Sequence, residues 1–385
     1  MRLAYFSVIL NHHQAHLADE MSKRLGGDYI FVELKPGADE KKGDTRDFST
    51  RSYLLEAWKS KENYDKALKI AKSFDVCVFS SYETLPFQIE RMKCGLMSFE
   101  MTERWLKRGL LSFISPRLIK NIGNHCFRGW SLKPLYKLCC SAYCPDDQYM
   151  MHTFLNKCYK WGYFTKIEDL DIDSIIKTKR HEKICKIMWC ARFIDCKHPE
   201  IPVRLAARLK EKGYEFCVDM YGSGPMLEKT RQLAIKLKVA DIVHFKGNLP
   251  NEQILKEMQG HDIFIFTSDR REGWGAVANE AMSNGCVLVA SDEIGSVPYL
   301  VKDGVNGCVF KSGDMNSLIE KVESLINDRD YMGSLALNAY NTMKNEWSPA
   351  CAARNLLLLI ADLQSGKDTS ITDGPCSKAL PINHA

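Results

Sequence analysis

Short unbroken apolar runs recur along the chain and alternate with stretches of helical spacing. Residues 3–10 (LAYFSVIL), 29–32 (YIFV), 76–79 (VCVF), 138–142 (LCCSA), 184–190 (ICKIMWC), 216–221 (FCVDMY), 242–245 (IVHF), 263–266 (IFIF) and 286–290 (CVLVA) have strand length. Runs of this kind predict strands buried on both faces of a parallel sheet. Between them, Ala15, Leu17, Ala18, Met21 and Leu25 recur at helical intervals, and 64–74, 146–157 and 350–363 are helix-like in the same way. Strands alternating with helices predict α/β units. Segment 35–50 is polar, contains Pro36-Gly37 and reads as a loop. Segment 165–183 is heavily charged with scattered apolar residues and reads as an interdomain linker, and 364–385 is polar and reads as an unstructured tail.

At 385 residues the chain exceeds what a single core usually supports. Two domains are expected, over 1–164 and 184–345, with the helix 346–363 returning to the first. The mixture of 45% hydrophobic and 26% charged residues is that of an ordinary globular protein. No apolar run reaches the ~18 residues of a spanning helix. The first apolar run resembles a signal peptide, but Asn11-His12-His13-Gln14 is no small-residue cleavage site. Several of the 15 cysteines, Cys77, Cys190 and Cys286 among them, fall inside strand-like runs without paired CxxC spacing. They read as small buried hydrophobes in a reducing cytoplasm, with no metal expected.

The densest chemistry lies in 261–310. The strand 263–266 ends in polar Thr267 to Arg271, and Glu272-Gly273-Trp274-Gly275 follows as a tight turn. From Ala276 the chain reads as helix, stopped by Asn284-Gly285. A helix opening from a glycine turn presents unpaired amides, which suits a diphosphate. Glu272 and Glu280, with seven residues between them, suit hydroxyls instead, on a sugar and on a ribose respectively.

This arrangement resembles the signature of retaining family-4 glycosyltransferases of the GT-B fold, and Gly295-Ser296-Val297-Pro298 continues the likeness. Tyr299 departs from it, standing where an acid commonly follows the proline. The resemblance covers 184–310 well and implies an α/β, GT-B architecture: two Rossmann-like domains facing across a cleft, with a nucleotide-sugar donor held mainly by the second. Arg192 and Lys197, five apart past a strand end, would neutralise the departing diphosphate. Gly222 in the turn 222–225, Asn248, Gly273, Trp274, Gly275 and Ala276 would meet the donor alongside Glu280. The implied reaction is transfer to a hydroxyl with retained anomeric configuration and no obligatory metal or cofactor.

Asn11 to His16 follow the first strand, where open α/β sheets place ligands, so His12, His13 or His16 is a candidate contact for the diphosphate or the acceptor. Residues 1–165 hold 25 Lys and Arg against 18 Asp and Glu, leaving 28 against 30 for the remainder. Within 88–137, basic side chains including Arg91, Arg117, Lys120 and Lys137 interleave with apolar ones. That mixture suits peripheral contact with an anionic bilayer at the inner face of the membrane, near a lipid-linked or oligosaccharide acceptor, and equally suits a solvated basic face. The acids of 169–173 superficially match a DxD metal motif, but no buried strand precedes them and they read as linker acids. A sugar-nucleotide epimerase on the same scaffold and a non-catalytic basic membrane or nucleic-acid binding module are the competing functions. Nucleic acid is not an expected partner.

Overall fold

The first half forms β1 (Leu3–Ser7), β2 (Tyr29–Glu33), β3 (Leu54–Glu56), β4 (Val76–Phe79), β5 (Ser98–Thr102), β6 (Leu135–Cys139) and β7 (Cys158–Lys160); β1, β2, β4 and β6 overlap the expected apolar runs, and β3, β5 and β7 fall on none. They make one parallel sheet in the order β3-β2-β1-β4-β5-β6-β7. The computed structural model describes residues 1–36 and 48–382, so most of the loop expected over 35–50 lies outside the described residues. Leu3, Ala4 and Phe6 of the central β1 are fully buried, and the Phe6 ring lies 5.1 Å from Phe79 and 5.3 Å from Phe87. The run at 138–142 is not the last strand, because β7 pairs beside it. The helix expected over 146–157 is only Cys144–Met150. His152, Phe154 and Asn156 take φ of 50°, 51° and 59°, and a right-handed helix cannot contain them.

The sheet belongs to a unit formed by Met1–Lys166 and Trp347–Ala385. Ser348 caps the helix Pro349–Gln364, which packs on the helix His12–Leu25. Beyond it, the tail expected to be unstructured is ordered through residue 382. It lies antiparallel along the open edge of β7: Lys160 N donates to Ser377 O (2.8 Å), Cys376 N to Lys160 O (2.7 Å) and Ala379 N to Cys158 O (3.0 Å). Asn355 Nδ2 adds a bond to Pro375 O at 2.9 Å, and Pro375, Cys376 and Ala379 are buried. A polar composition concealed this because the unpaired groups of an edge strand supply a partner far away in sequence.

The basic stretch 88–137 is not a single charged face. Arg91 is fully buried and donates to the carbonyls of Ala71, Phe74, Asp75 and Met97 and to Ser98 Oγ. Lys137, also fully buried, donates to Glu100 Oε1 at 2.7 Å. These two cations hold the unit together and face no membrane.

The second unit, Ile167–Glu346, carries β8 (Cys185–Cys190), β9 (Phe216–Tyr221), β10 (Val243–Gly247), β11 (Ile263–Phe266), β12 (Val287–Ser291) and β13 (Cys308–Phe310). These strands are parallel in the order β10-β9-β8-β11-β12-β13. The stretch expected as linker contains the helix Ile172–His181, capped by Asp171. Its buried Lys179 donates to His261 O (2.5 Å) and Gly285 O (2.7 Å), pinning the helix to the loops that enter β11 and β12. Asp169 pairs with Lys344 at 2.6 Å, so both acids have structural partners. Among the described residues no helix is long and apolar enough to cross a membrane.

Truncation after Gln364 removes three edge hydrogen bonds, worth roughly 1 kcal/mol each, along with the burial of Cys376 and Ala379. A melting temperature lower by roughly 5–10 °C is expected, read by differential scanning calorimetry on the truncated chain. An unchanged transition would refute a structural role for the tail.

Candidate functional site

In the second sheet β8 lies between β9 and β11, so the strand order reverses there. Such a reversal opens a crevice at the carboxyl ends of the two diverging strands. The loops leaving β8 and β11 carry Arg192, Lys197 and Glu272.

The loop after β8 is set by close backbone approach. Phe193 N donates to Ser223 O at 2.8 Å, and Met226 N to Phe193 O at 3.0 Å. Gly222 and Gly224 have φ of 127° and 150°. A Cβ would stand 2.0 Å from Ala191 O at Gly222 and 2.5 Å from Phe193 O at Gly224. The room that Gly222 leaves, expected for a ligand, is therefore filled by the chain's own carbonyl. Asn248 is exposed and donates to Ser223 Oγ at 2.9 Å, on the same turn.

This loop is then stitched to the one after β11. Thr267 Oγ1 donates to Lys197 O at 2.6 Å and accepts from Trp189 Nε1 at 2.9 Å, while Asp269 N donates to Cys196 O at 3.2 Å. The result brings the Lys197 ammonium onto Glu272 Oε2, which also accepts from Ser268 Oγ at 3.0 Å. Both members of the ion pair are only about one-sixth exposed. Arg192 is exposed, and its side chain makes no hydrogen bond or ion pair among the described residues. Of the two predicted cations, Lys197 alone reaches the carboxylate.

Gly275 has φ 80°, and a Cβ there would lie 2.3 Å from Phe266 Cζ and 3.3 Å from Glu272 Cγ. The turn 273–275 is thus pressed between the end of β11 and the stem of Glu272. The helix Val277–Ser283 opens from it with no side-chain cap on Ala276. The amides of Gly275 and Ala276 meet no acceptor among the described residues. Gly273 is buried in the turn. The Trp274 side chain points inward, fully buried, its indole N–H on Asn279 Oδ1 at 2.8 Å, so it packs the turn and leaves only main chain for a ligand.

Glu280 is buried in the first turn of that helix and accepts from Asn251 Nδ2 at 2.9 Å. Burial, with the Glu280 charge adding to it, pushes the nearby Cys190 thiol up to about 12, so it stays protonated. Around the ion pair, His198 (φ 49°) bridges Glu200 Oε1 and Asp269 Oδ2, each at 3.1 Å. Arg271 binds Asp269 and Asp195 from the other side. Ser268, Asn251 and His198 were not foreseen. Ser268 lies in the polar run after β11 where it could have been found, whereas Asn251 is 29 residues from its partner and carries no local signal.

In the first unit, His12, His13 and His16 occupy the opening of the helix His12–Leu25, past the carboxyl end of β1. Asn11 Oδ1 caps it by accepting from His13 N at 3.0 Å. The His12 and His13 rings are 3.7 Å apart, and His13 stacks on Tyr163 at 5.6 Å.

Residues 172–342 match the sequence family described as Glycosyl transferases group 1. A GDP-mannose-dependent alpha-(1-6)-phosphatidylinositol monomannoside mannosyltransferase of Mycolicibacterium smegmatis is 25% identical over 187 residues, 47% of this chain and 48% of that protein. The putative colanic acid biosynthesis glycosyltransferase WcaL of Escherichia coli is 23% identical over 184 residues, 46% of this chain and 45% of that one. The matches thus span about half the length of these relatives. Among solved structures, Anabaena HepE in complex with UDP superposes with a TM-score of 0.69 at 15% identity, covering 95% of this chain and 100% of that one. Sucrose-phosphate synthase from Thermosynechococcus elongatus gives 0.68 at 15% identity over the same shares. These likenesses show the fold: an α/β, GT-B architecture with two parallel sheets.

The hydrogen bond to Glu200 raises the His198 imidazole above its ordinary 6.5; burial opposes the rise and Asp269 adds to it. A raised folded value stabilises fully below the unfolded value and fades as pH climbs through the folded one. His198→Asn keeps a residue that tolerates this backbone and removes the charge. Urea denaturation should show the parent's advantage over the variant at about pH 6 and its shrinkage by about pH 9; an advantage that grows with pH would contradict the assigned ion pairs.

Proposed function

We propose that this chain is a glycosyltransferase that moves a hexose from a nucleoside-diphosphate donor to a hydroxyl acceptor in surface-polysaccharide or glycolipid assembly. The observation that carries the reading is the Lys197–Glu272 pair set against the Gly273–Gly275 turn, at the crevice between β8 and β11. The matched family and the UDP held by the HepE structure support it.

In the proposed reaction the bond from the anomeric carbon to the β-phosphate oxygen breaks and that oxygen keeps the electron pair. The acceptor oxygen bonds to the same carbon, and its proton passes to the departing β-phosphate oxygen. Positive charge grows on the sugar and negative charge on the diphosphate, so donors already aimed at the phosphates lower the barrier. Lys197 and the amides at Gly275 and Ala276 take that role, with Arg192 turning in from the exposed loop. An ammonium with three donors can hold Glu272 and a phosphate oxygen together, so Glu272 fixes Lys197 while its own oxygens meet a sugar hydroxyl. Glu280, steadied by Asn251, accepts from the ribose. Transfer proceeds with retention, as the resemblance of 261–310 implies, and without a metal.

The acceptor is proposed to lie at a bilayer surface. In 108–132 the side chains of Leu111 (68%), Ile114 (78%), Ile119 (58%), Phe127 (86%) and Leu132 (85%) are exposed, and Arg108, Arg117, Lys120 and Arg128 are exposed among them. Apolar side chains ringed by cations suit an anionic interface.

Lys197→Ala and Glu272→Ala should each lower transfer from a labelled nucleotide-sugar roughly 100- to 1,000-fold with unfolding midpoints unchanged, and chelation by EDTA should leave the parent rate intact. Near-normal turnover in either variant removes the assignment, and conversion of donor without any acceptor points to epimerisation instead. In flotation assays the chain should rise with phosphatidylglycerol vesicles, and Ile114→Asp/Phe127→Asp should stay in the dense fraction; equal recovery of the two proteins would exclude contact through this surface.

A further inference from the structure

Cys217 and Asp219 stand two apart on β9, so both side chains leave the same face of the second unit's sheet. His244, on the neighbouring β10, is in register with Asp219 and joins them on that face. One sulfur, one carboxylate oxygen and one imidazole nitrogen from these three residues all lie within 4.8 Å of one another. The cluster sits within the strands, not in the loops past their carboxyl ends, and shares no residue with the donor crevice.

Each member is prepared for an ion in a different way. Burial works against the Asp219 charge, but hydrogen bonds with His261 and His244 outweigh it and hold the carboxyl down to about 2. His244 Nδ1 is 2.7 Å from Asp219 Oδ1, and His261 Nε2 is 3.2 Å from Oδ2. His261 is buried and its Nδ1 donates to Glu257 O at 2.6 Å, which fixes its ring behind the carboxylate. On the open side, the His244 side chain is 42% exposed and the exposed Lys246 comes no nearer to Asp219 Oδ2 than 3.5 Å. The Cys217 sulfur makes no hydrogen bond among the described residues. Burial, with the Asp219 charge adding to it, pushes its thiol up, so the proton there is one that an incoming ion displaces.

Thiolate, imidazole and carboxylate together suit zinc, whereas magnesium and calcium take oxygen donors. We propose that Cys217, Asp219 and His244 bind one Zn²⁺ ion, with water in its fourth position, and that the ion clamps β10 to β9. Tetrahedral bonds of ~2.0–2.3 Å set ligand atoms about 3.3–3.8 Å apart, so the 2.7 Å contact between His244 and Asp219 opens by about 0.6 Å. Lys246 swings out to solvent as the ion enters. The S–H bond of Cys217 breaks, its proton leaves to the buffer, and the sulfur keeps the electron pair that it shares with the ion. β10 is the edge strand of its sheet, and its pairing with β9 shifts register between Phe245 and Gly247. A clamp at His244 holds the ladder just before that irregularity. The ion takes no part in transfer, so a chelated chain keeps its rate.

The test strips the full chain with EDTA, removes the chelator and titrates with Zn²⁺, Co²⁺ or Mg²⁺. Zn²⁺ at a roughly hundredfold excess over its dissociation constant should raise the melting temperature by about 5–10 °C, and Mg²⁺ should leave it unchanged. One equivalent of Co²⁺ should produce the near-ultraviolet charge-transfer band of a thiolate on cobalt. Cys217→Ser should remove that band and most of the Zn²⁺ shift, and His244→Ala should weaken Zn²⁺ binding at least roughly tenfold. Urea midpoints in EDTA establish that each variant is folded; should one fail to fold, the other decides. The assignment is overturned if the parent shows neither the shift nor the band, or if His244→Ala binds Zn²⁺ as the parent does. It is equally overturned if the band survives Cys217→Ser, since the thiolate is then another one, such as the exposed Cys94 or Cys126.

Discussion

The candidate site depends on two loops being sewn edge to edge, and the stitch is main chain. The Thr267 hydroxyl on the Lys197 carbonyl and the Asp269 amide on the Cys196 carbonyl fix where the Lys197 side chain begins, before any charge is considered. That position requires the loop after β8 to lie flat on the 222–224 turn, which only residues without a Cβ permit. A partly buried ion pair gains little by itself once desolvation is counted. Here the backbone has already oriented both partners, so the pair holds an ammonium on the carboxylate whose stem stands against the 273–275 turn.

The parallel strands, the helix opening at Ala276 and the glycine turn were legible because each is local. Buried strands announce themselves as apolar runs, and two glycines within four residues of a helix start mark a turn. The pairing of Lys197 with Glu272 was half legible: both residues stood out, but as separate ligands for phosphate and sugar, and only the fold shows them holding each other. Asn251 on Glu280 and His198 on Asp269 arise from loops far apart in sequence, where no periodicity or spacing gives a sign.

Three of the misreadings shared one cause. Charge was taken as exposure in 88–137, in the stretch before β8 and in the tail. Arg91 caps four carbonyls, Lys137 neutralises a buried glutamate and Lys179 locks a helix to two loops. A buried cation is tolerable when every donor finds an oxygen, and composition cannot tell such a residue from a solvated one. What remains exposed after these are removed is a smaller, more apolar surface over 109–132, a sharper feature than the net charge suggested.

The first unit is assembled from two stretches, Met1–Lys166 and Trp347–Ala385, with all of Ile167–Glu346 inserted between them. During synthesis β7 leaves the ribosome about 200 residues ahead of the segment that covers it, a wait of roughly 10–40 s at ordinary elongation rates. Through that interval the inserted unit can complete its own sheet, while the first keeps one strand with unpaired amides and carbonyls exposed. Order of maturation is thereby written into the connectivity: the inserted unit's sheet can close first, and the other waits for the segment around Cys376.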